Sequence, residues 1–223
     1  MLKCDLHLHC KGDPEDTWIK YTAKDLIDKS KEIGLDVIAI TPHDKLFDDQ
    51  EAIDYAESQG ILLIPGIEKN INKKHTIIIN PTKEIETIHT FKQLKEYKKN
   101  HPEILIIAAH PYYLKKCCHG NNIIRYKNIF DALEFSYFYT NLINPNKKLQ
   151  KIAKIYNKPV IGNSDTHIIK NLGKTHSIIQ AKKDTRNIID SIKAGRIEIV
   201  TQPLTPIELI ISALKMLIKI KSN

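Results

Sequence analysis

Short apolar runs rich in β-branched residues alternate with amphipathic helical patterns along the whole chain. After a first strand near residues 5–9, the predicted strands are residues 35–41, 61–68, 75–79, 104–110, 132–135, 159–165, 175–181 and 197–201. The predicted helices are residues 22–34, 51–58, 91–100, 146–156, 185–194 and about 205–220. This alternation is typical of β/α units.

The pattern predicts an α/β fold. We count about seven barrel-like β/α units, and no repeat or linker interrupts them. A chain of 223 residues is long enough for one such barrel. We therefore expect a single domain over residues 1–223, with residues 75–79 in an inserted hairpin and the terminal helix packed on the barrel.

The first strand interrupts the apolar pattern with polar residues on one face. In the stretch Asp5-Leu6-His7-Leu8-His9, strand alternation places Asp5, His7 and His9 on one side and the leucines on the other. Neutral imidazole and carboxylate groups are common ligands of zinc, iron and manganese. The strand therefore indicates half of a metal site, with a solvated polar strand end as the alternative.

Histidines and acidic residues stand at the C-terminal ends of several predicted strands. Strand by strand they are His9, His43 with Asp44, Glu68, His110, and Asp165 with His167. In a β/α barrel these strand ends form one rim, where active sites lie. Repeated placement of metal-ligand residues there predicts a single metal-binding site.

The net charge of +8 suits a polyanionic partner, or it favours anionic substrates by steering. Much of the excess is lysine spread along helices, as at Lys92, Lys95, Lys98 and Lys99. That spacing favours a solvated helix face over a nucleic-acid groove.

Cysteine usage and hydropathy predict a cytoplasmic protein. The four cysteines form no CxxC pair, and the first residues lack the features of a signal peptide. The longest apolar stretch, residues 207–220, is interrupted by charged side chains. It predicts an amphipathic helix and no membrane span.

Five stretches carry the candidate ligands in a fixed order. They are Asp5-Leu6-His7-Leu8-His9, Ile40-Thr41-Pro42-His43-Asp44, Pro65-Gly66-Ile67-Glu68, Ala109-His110-Pro111 and Asn163-Ser164-Asp165-Thr166-His167. Together they resemble the motifs of the polymerase and histidinol phosphatase (PHP) family of metal-dependent phosphoesterases. Gly173 and the stretch Ala194-Gly195-Arg196 resemble that family's later pattern, so the resemblance extends from Lys3 to about Thr201.

The resemblance implies a distorted seven-stranded (β/α)7 TIM-like barrel with two or three divalent ions of manganese, zinc or iron. The implied ligands are His7, His9, Glu68 and Asp165 for the first ion, Glu68, His75 and His110 for the second, and His43, His167 and an acidic loop residue for the third.

The loop after the first motif departs from the family pattern. It reads Gly12-Asp13-Pro14-Glu15-Asp16, which offers three candidate carboxylates for the third ion. The distance to the helix start at Thr22 favours Asp16, with Asp13 second. Pro42 stands where an aspartate is commoner, and we expect it to leave His43 as a ligand.

Ions about 3.5–4 Å apart can bind phosphate oxygens, acidify a shared water and offset charge on the leaving oxygen. We therefore expect attack by a metal-bound hydroxide. Asp165 is expected to orient that water, and His167 or His43 to assist proton transfer to the leaving group. Asp5 is expected to support the ligands without binding metal.

Cations in predicted rim loops are the candidates for holding the substrate phosphate. They are Lys45, Lys115 and Arg125, and ordinary solvation of each is the alternative. The remaining histidines and the stretch Cys117-Cys118-His119 are expected to lie outside the site.

The leading prediction is a phosphoesterase that hydrolyses a phosphomonoester or a small nucleotide, so its partner would be a small phosphorylated substrate. A nuclease or oligonucleotide phosphodiesterase is the alternative, with nucleic acid as the partner. A non-catalytic PHP-like subunit is less favoured because the ligand set is complete. An amidohydrolase ranks lower because no strand ends in a metal-bridging lysine.

Overall fold

The computed structural model describes residues 1–113 and 115–218. The strands are β1 (Leu2–Leu8), β2 (Val37–Ile40), β3 (Leu62–Leu63), β4 (Gly66–Ile71), β5 (Lys74–Ile79), β6 (Leu105–Ala108), β7 (Ala132–Ser136), β8 (Val160–Asn163), β9 (Thr175–Ile179) and β10 (Ile197–Thr201). The α-helices are α1 (Ala23–Glu32), α2 (Gln50–Ser58), α3 (Phe91–Asn100), α4 (Asn122–Arg125), α5 (Asn146–Ile155), α6 (Thr185–Lys193) and α7 (Pro206–Ile218). The elements occur in the predicted order, except that residues 61–68 contribute to two strands, β3 and β4, and that the short helix α4 has no counterpart in the prediction.

The strands form two five-stranded sheets, with the orders β10-β9-β1-β2-β3 and β4-β5-β6-β7-β8. The β1-β2-β3 and β6-β7-β8 ladders are parallel, as β/α connections require. The remaining pairs, which involve β9, β10 and the β4-β5-β6 meander, are antiparallel. The fold is mixed α/β. The expected seven-stranded closed barrel is not shown, because the strands of the described residues divide between two sheets.

The two sheets approach each other at the ends of β1 and β2. Leu8 forms an isolated bridge with Thr166, which lies three residues past β8, and His43 forms another with Glu68 of β4. The backbone N–H of His9 donates to the carbonyl of Thr166 at 3.2 Å. These bridges bring the motif-bearing strand ends to one place.

The single strand predicted over residues 61–68 is wrong, because the chain crosses between the sheets there. β3 ends before Pro65, which has no N–H to donate to a ladder. At Gly66 an added Cβ would lie 2.8 Å from the side chain of Thr41, so only glycine allows this close approach. β4 then pairs with β5 through the turn residues Asn72 and Lys73, whose φ angles of 49° and 63° suit a tight hairpin.

Helix α1 shows how the helices dock on the sheets. Its start is a capping box, in which Thr22 Oγ1 accepts from the Asp25 N–H at 3.2 Å and Asp25 accepts from the Thr22 N–H at 2.7 Å. Leu26 and Ile27 are fully buried in one apolar cluster with Ile38 of β2. Each such side chain contributes about 1.5–3 kcal/mol on burial.

Helix α7 follows β10 near the motif-bearing loops. Its Glu208 pairs with Lys174 at 2.6 Å, and Leu209 packs beside Leu204 and Phe138. Of the helix predicted over residues 205–220, residues 219 and 220 lie outside the described residues. In the described part of the chain, no helix combines the length and apolar character needed to cross a membrane.

Candidate metal centre

Histidines and carboxylates from β1, β4 and β5, and from the segments that follow β1, β2, β6 and β8, converge where the two sheets meet. We call this group the metal cluster, and it consists of His7, His9, His43, Glu68, His75, His110, Asp165 and His167. His7 and His9 are fully buried, and Glu68 is 1% exposed. The structure thus brings together eight of the nine predicted metal ligands, and the ninth, Asp16, lies against His167.

Glu68 occupies the middle of the cluster. Its Oε1 lies 2.8 Å from His75 Nδ1 and 3.2 Å from His110 Nε2. Its Oε2 lies 3.2 Å from His7 Nε2 and 3.1 Å from His43 Nε2. Because each oxygen faces its own set of imidazoles, the carboxylate has the geometry to bridge two ions.

Among the residues that the structure describes, several ligand atoms of the cluster are buried and find no hydrogen-bond partner. They include His7 Nε2, His9 Nε2 and Asp165 Oδ1, and the oxygen lies 3.4 and 3.3 Å from the two nitrogens. Burying polar atoms without partners is costly. A cation at the point where these atoms converge would satisfy them all, so the donor set fits a metal ion.

Two compact groups fall within the predicted ligand sets, the first of them without Asp165. The ligand atoms of His7, His9 and Glu68 lie within 4.8 Å of one another, and so do those of Glu68, His75 and His110. Imidazole and carboxylate donors suit zinc, manganese and iron alike. Residues from both sheets therefore form two adjoining groups that share Glu68.

In the region expected for a third ion, both Asp16 and Asp13 lie close to the predicted histidines. Asp16 Oδ2 lies 3.0 Å from His167 Nε2 and 3.6 Å from His43 Nδ1. Asp13 is more deeply buried and contacts the Nδ1 atoms of His9 and His43 at 2.8 and 3.0 Å. Within residues 1–113 and 115–218, the compact groups that contain His43 or His167 are His9 with Asp13 and His43, Glu15 with His43 and His75, and His9 with Asp165 and His167.

Glu134, in the middle of β7, was missed by sequence reasoning. One carboxylate oxygen accepts from His7 Nδ1 and Asn163 Nδ2, both at 2.9 Å, and the other accepts from the His110 N–H at 2.8 Å. The side chain is fully buried. It holds His7 in the tautomer and orientation that direct Nε2 at Glu68. The sequence feature that could have identified Glu134 is its position as a single acid within an apolar strand, because a buried carboxylate needs hydrogen-bond or ion-pair partners.

The stretch Cys117-Cys118-His119 lies beside the cluster, contrary to the prediction that it has no part in the site. Cys118 Sγ is 3.4 Å from His110 Nδ1, and His119 Nε2 is 2.6 Å from the His75 carbonyl. The Cys118 thiol, followed by the His75 imidazole, lowers the pKa of Cys117 to about 4 against the effect of burial. These residues support the two histidines that face Glu68 Oε1.

The carboxylates and imidazoles of the cluster hold one another in their charged forms. Burial opposes ionisation of Glu68, but the neighbouring imidazoles, His75 first, hold its pKa well below its usual value. Burial also opposes the charged form of His7, but carboxylates, Glu134 first, raise its pKa well above the usual value. For His43, nearby carboxylates overcome burial and raise the pKa to about 9. A metal ion would therefore compete with protons for these imidazoles.

Three residues at the strand ends have backbone conformations that side chains rarely adopt. The φ angles of Asp44, His110 and Asp165 are 52°, 26° and 45°. Such strain persists only where surrounding contacts hold the chain in place, and it gathers at functional sites. Two of these three residues belong to the metal cluster.

A cavity of about 320 Å³ opens onto the metal cluster. Its walls include Asp16, Tyr113, Tyr137, Phe138 and Lys115, besides members of the cluster. Lys115 is the cation among its described lining residues.

The other two predicted phosphate-binding cations lie elsewhere. Lys45 is exposed to solvent and does not line this cavity. Arg125 lies at the end of α4 and lines a separate cleft. The prediction placed them at the rim because both follow predicted strands, but loop paths cannot be read from the sequence.

Comparisons with known proteins agree with the resemblance. Residues 144–197 match the family model described as PHP-associated. No curated protein sequence matches the chain significantly.

Solved structures share the fold at low sequence identity. A two-domain protein from Bacteroides vulgatus that contains a predicted PHP-like metal-dependent phosphoesterase superposes with a TM-score of 0.66 and 20% identity, over 90% of this chain and 65% of that one. A proposed metal-dependent phosphoesterase from Bifidobacterium adolescentis gives 0.55 and 14%, over 74% and 87%. An amidohydrolase from Chromobacterium violaceum gives 0.61 and 13%, over 87% and 97%.

At these identities the structural similarities show the fold and not the activity. This chain spans less than two thirds of the Bacteroides protein, so the activity of that whole protein does not transfer. The donor set itself fits a divalent metal ion. The chain is thus similar to a PHP-associated family over residues 144–197, and its fold is similar to that of PHP-like proteins.

Proposed function

We propose that this protein is a metal-dependent phosphoesterase that hydrolyses a phosphomonoester or a small nucleotide. The observation that carries the proposal is the position of Glu68, whose two oxygens face separate pairs of imidazoles at 2.8–3.2 Å. Such an arrangement suits ions that share one bridging carboxylate and together bind a phosphate.

The proposed ligand sets follow the groups formed in the structure. His7, His9, Glu68 and Asp165 would hold one ion, and Glu68, His75 and His110 a second. His43 and His167 would hold a third ion with Asp16 or Asp13. Bound divalent ions, whether manganese, zinc or iron, would neutralise phosphate charge and acidify a coordinated water.

The chain's own residues would orient the reacting groups. Asp165 reaches both His7 and His9, and we propose that it accepts a hydrogen bond from the attacking water. Of His167 and His43, one that does not hold an ion would donate a proton to the leaving oxygen, since both line the cavity. Lys115 would hold a phosphate oxygen at the cavity wall.

The cavity favours a small substrate. A volume of about 320 Å³ suits a phosphorylated metabolite or a mononucleotide. Tyr113, Tyr137 and Phe138 supply an apolar wall, on which a ring of the substrate would pack.

We further propose that the two sheets are halves of a distorted PHP-type barrel within a single domain. The bridges Leu8–Thr166 and His43–Glu68 support this, because they join the sheets at separate strands. A cytoplasmic location is also proposed, since the four cysteines are free.

The test is a phosphate-release screen across sugar phosphates, nucleotides and oligonucleotides with added manganese, zinc or iron. The purified protein should release phosphate from a phosphomonoester or a nucleotide only when a divalent ion is present. The double variant His7→Ala with His9→Ala should lose both bound metal and activity. His89→Ala with His101→Ala removes two histidines outside the metal cluster and should retain both. If the first double variant keeps metal and activity, the proposal fails.

A further inference from the structure

The positive charge of the chain is concentrated in one segment. Residues 91–158 contain thirteen of the 34 lysines and arginines but only four of the 26 aspartates and glutamates. The remainder holds 21 basic and 22 acidic residues and is therefore nearly neutral. The segment includes α3, α4 and α5 and the loop between β6 and α4, so the excess charge belongs to one part of the fold.

Two of the four acids of this segment are engaged in internal contacts. Glu134 is fully buried behind the metal cluster. Asp131 pairs with Lys98 at 2.7 Å and accepts from the Ile106 N–H. The other two are Glu96 and Glu103.

A cleft of about 510 Å³ lies on this charged part of the molecule, separate from the cavity at the metal cluster. It is bounded by the β4–β5 turn, the start of α3 and the end of α4, and its walls include Asn72, Phe91, Lys92, Lys95, Arg125 and Tyr126. Within the described residues, neither the two lysines nor the arginine forms an ion pair. Their charges therefore face the cleft without compensation.

The cleft also contains a fixed aromatic surface. The ring of Tyr126 stacks on that of Phe91, with centroids 4.0 Å apart and planes at 20°. Phe91 is itself held edge-to-face against Phe130 at 6.1 Å. The Arg125 guanidinium lies over the Tyr126 ring at 5.3 Å. Phenol rings and guanidinium planes are both surfaces on which nucleic-acid bases stack.

We propose that this cleft binds single-stranded nucleic acid. A flexible single strand can use both features of the cleft. Its phosphates contact the unpaired cations, and an unstacked base packs on the ring of Tyr126. A duplex would keep its bases stacked away from Tyr126. A membrane surface would favour exposed apolar side chains, which are absent from the walls described here. The inference is independent of the proposed hydrolysis, since no member of the metal cluster lines the cleft.

The test measures binding of fluorescein-labelled oligo(dT) and oligo(A) RNA of twelve nucleotides by anisotropy, as a function of salt. Wild-type protein should bind both, and Lys92→Glu with Lys95→Glu should raise Kd at least about tenfold near 50 mM salt and lower the salt slope by about 1.4. Tyr126→Leu should weaken binding about tenfold, and Tyr126→Phe should retain it.

The matched control is Lys182→Glu with Arg186→Glu, which makes the same charge change at the start of α6. It should shift Kd less than about threefold near the same salt concentration. Equal weakening by both charge-reversal pairs would overturn the site, because only net charge would then matter. The proposal is also wrong if wild-type protein shows no binding at about 100 μM, or if Lys92 and Lys95 are needed for phosphatidylserine vesicles but not for the oligonucleotides.

Discussion

Replacing Glu134 by glutamine tests whether the metal cluster depends on the carboxylate behind His7. Glutamine keeps the shape of the side chain but exchanges one acceptor oxygen for an amide donor. In the structure one oxygen accepts from His7 Nδ1 and Asn163 Nδ2, and the other accepts from the His110 N–H. Whichever way the amide turns, it meets a donor, so at least one hydrogen bond is lost.

The size of the effect of Glu134→Gln is estimated for the amide orientation that costs less free energy. With the amide towards the His110 N–H, one hydrogen bond to a charged acceptor is lost, which costs about 1.5–3 kcal/mol of the free energy of unfolding. His7 then keeps an acceptor at Nδ1, but a neutral one, so Nε2 becomes a weaker ligand. Loss of such a supporting partner typically reduces metal affinity about 10–100-fold.

Urea unfolding measures the first quantity, and competition with a chromophoric chelator measures the second. Glu103→Gln is the matched control, because its carboxylate is 51% exposed and pairs with His101 outside the metal cluster. The control should change neither quantity appreciably. If folded Glu134→Gln bound metal within about threefold of wild type, the orienting role assigned to Glu134 would be refuted.

Three further predictions concern the loop, the protons and the first helix. Asp13→Asn should lower the free energy of unfolding by about 1–3 kcal/mol, because Asp13 supports two buried imidazoles. Asp16→Asn should mainly reduce phosphate release. A larger loss of stability for Asp16→Asn than for Asp13→Asn in urea unfolding would contradict this. Metal-free protein should lose stability as pH rises from the usual histidine value of 6.5 to about 9, because the raised pKa of His43 stabilises only its protonated form. The lowered pKa of the Cys117 thiol has the opposite effect on stability, but several histidines of the cluster have raised pKa values and their combined effect is larger. A melting temperature that rose over this pH range would count against the assignment. Thr22→Ala should cost about 1 kcal/mol by removing the capping box, with metal affinity unchanged in the chelator assay.

Local patterns predicted most elements of the fold. Alternation in β1 correctly separated the histidines from Leu6 and Leu8, and the spacing of Thr22 and Asp25 located the start of α1. Such features depend on neighbours a few residues apart. The division into two sheets depends instead on where strands pair in space, and the change of sheet at Pro65 leaves only a weak trace in the sequence.

Most residues of the candidate site could likewise be predicted from the sequence. Ligand-type residues at strand ends could be recognised because topology brings such ends together. Glu134 could not be assigned, because its partners His7 and Asn163 are 127 and 29 residues away in sequence. Asp13 and Asp16 could not be distinguished either, since the fold of a short loop determines which of them reaches His43.

The most direct test of the central claim is the metal content of the purified protein, measured by inductively coupled plasma mass spectrometry beside the two double-histidine variants. Wild-type protein and the His89→Ala, His101→Ala variant should each retain about two to three equivalents of manganese, iron or zinc after gel filtration. The His7→Ala, His9→Ala variant should lose at least one equivalent. Wild-type protein that stayed metal-free after incubation with all three ions, or equal content in the two variants, would contradict the account.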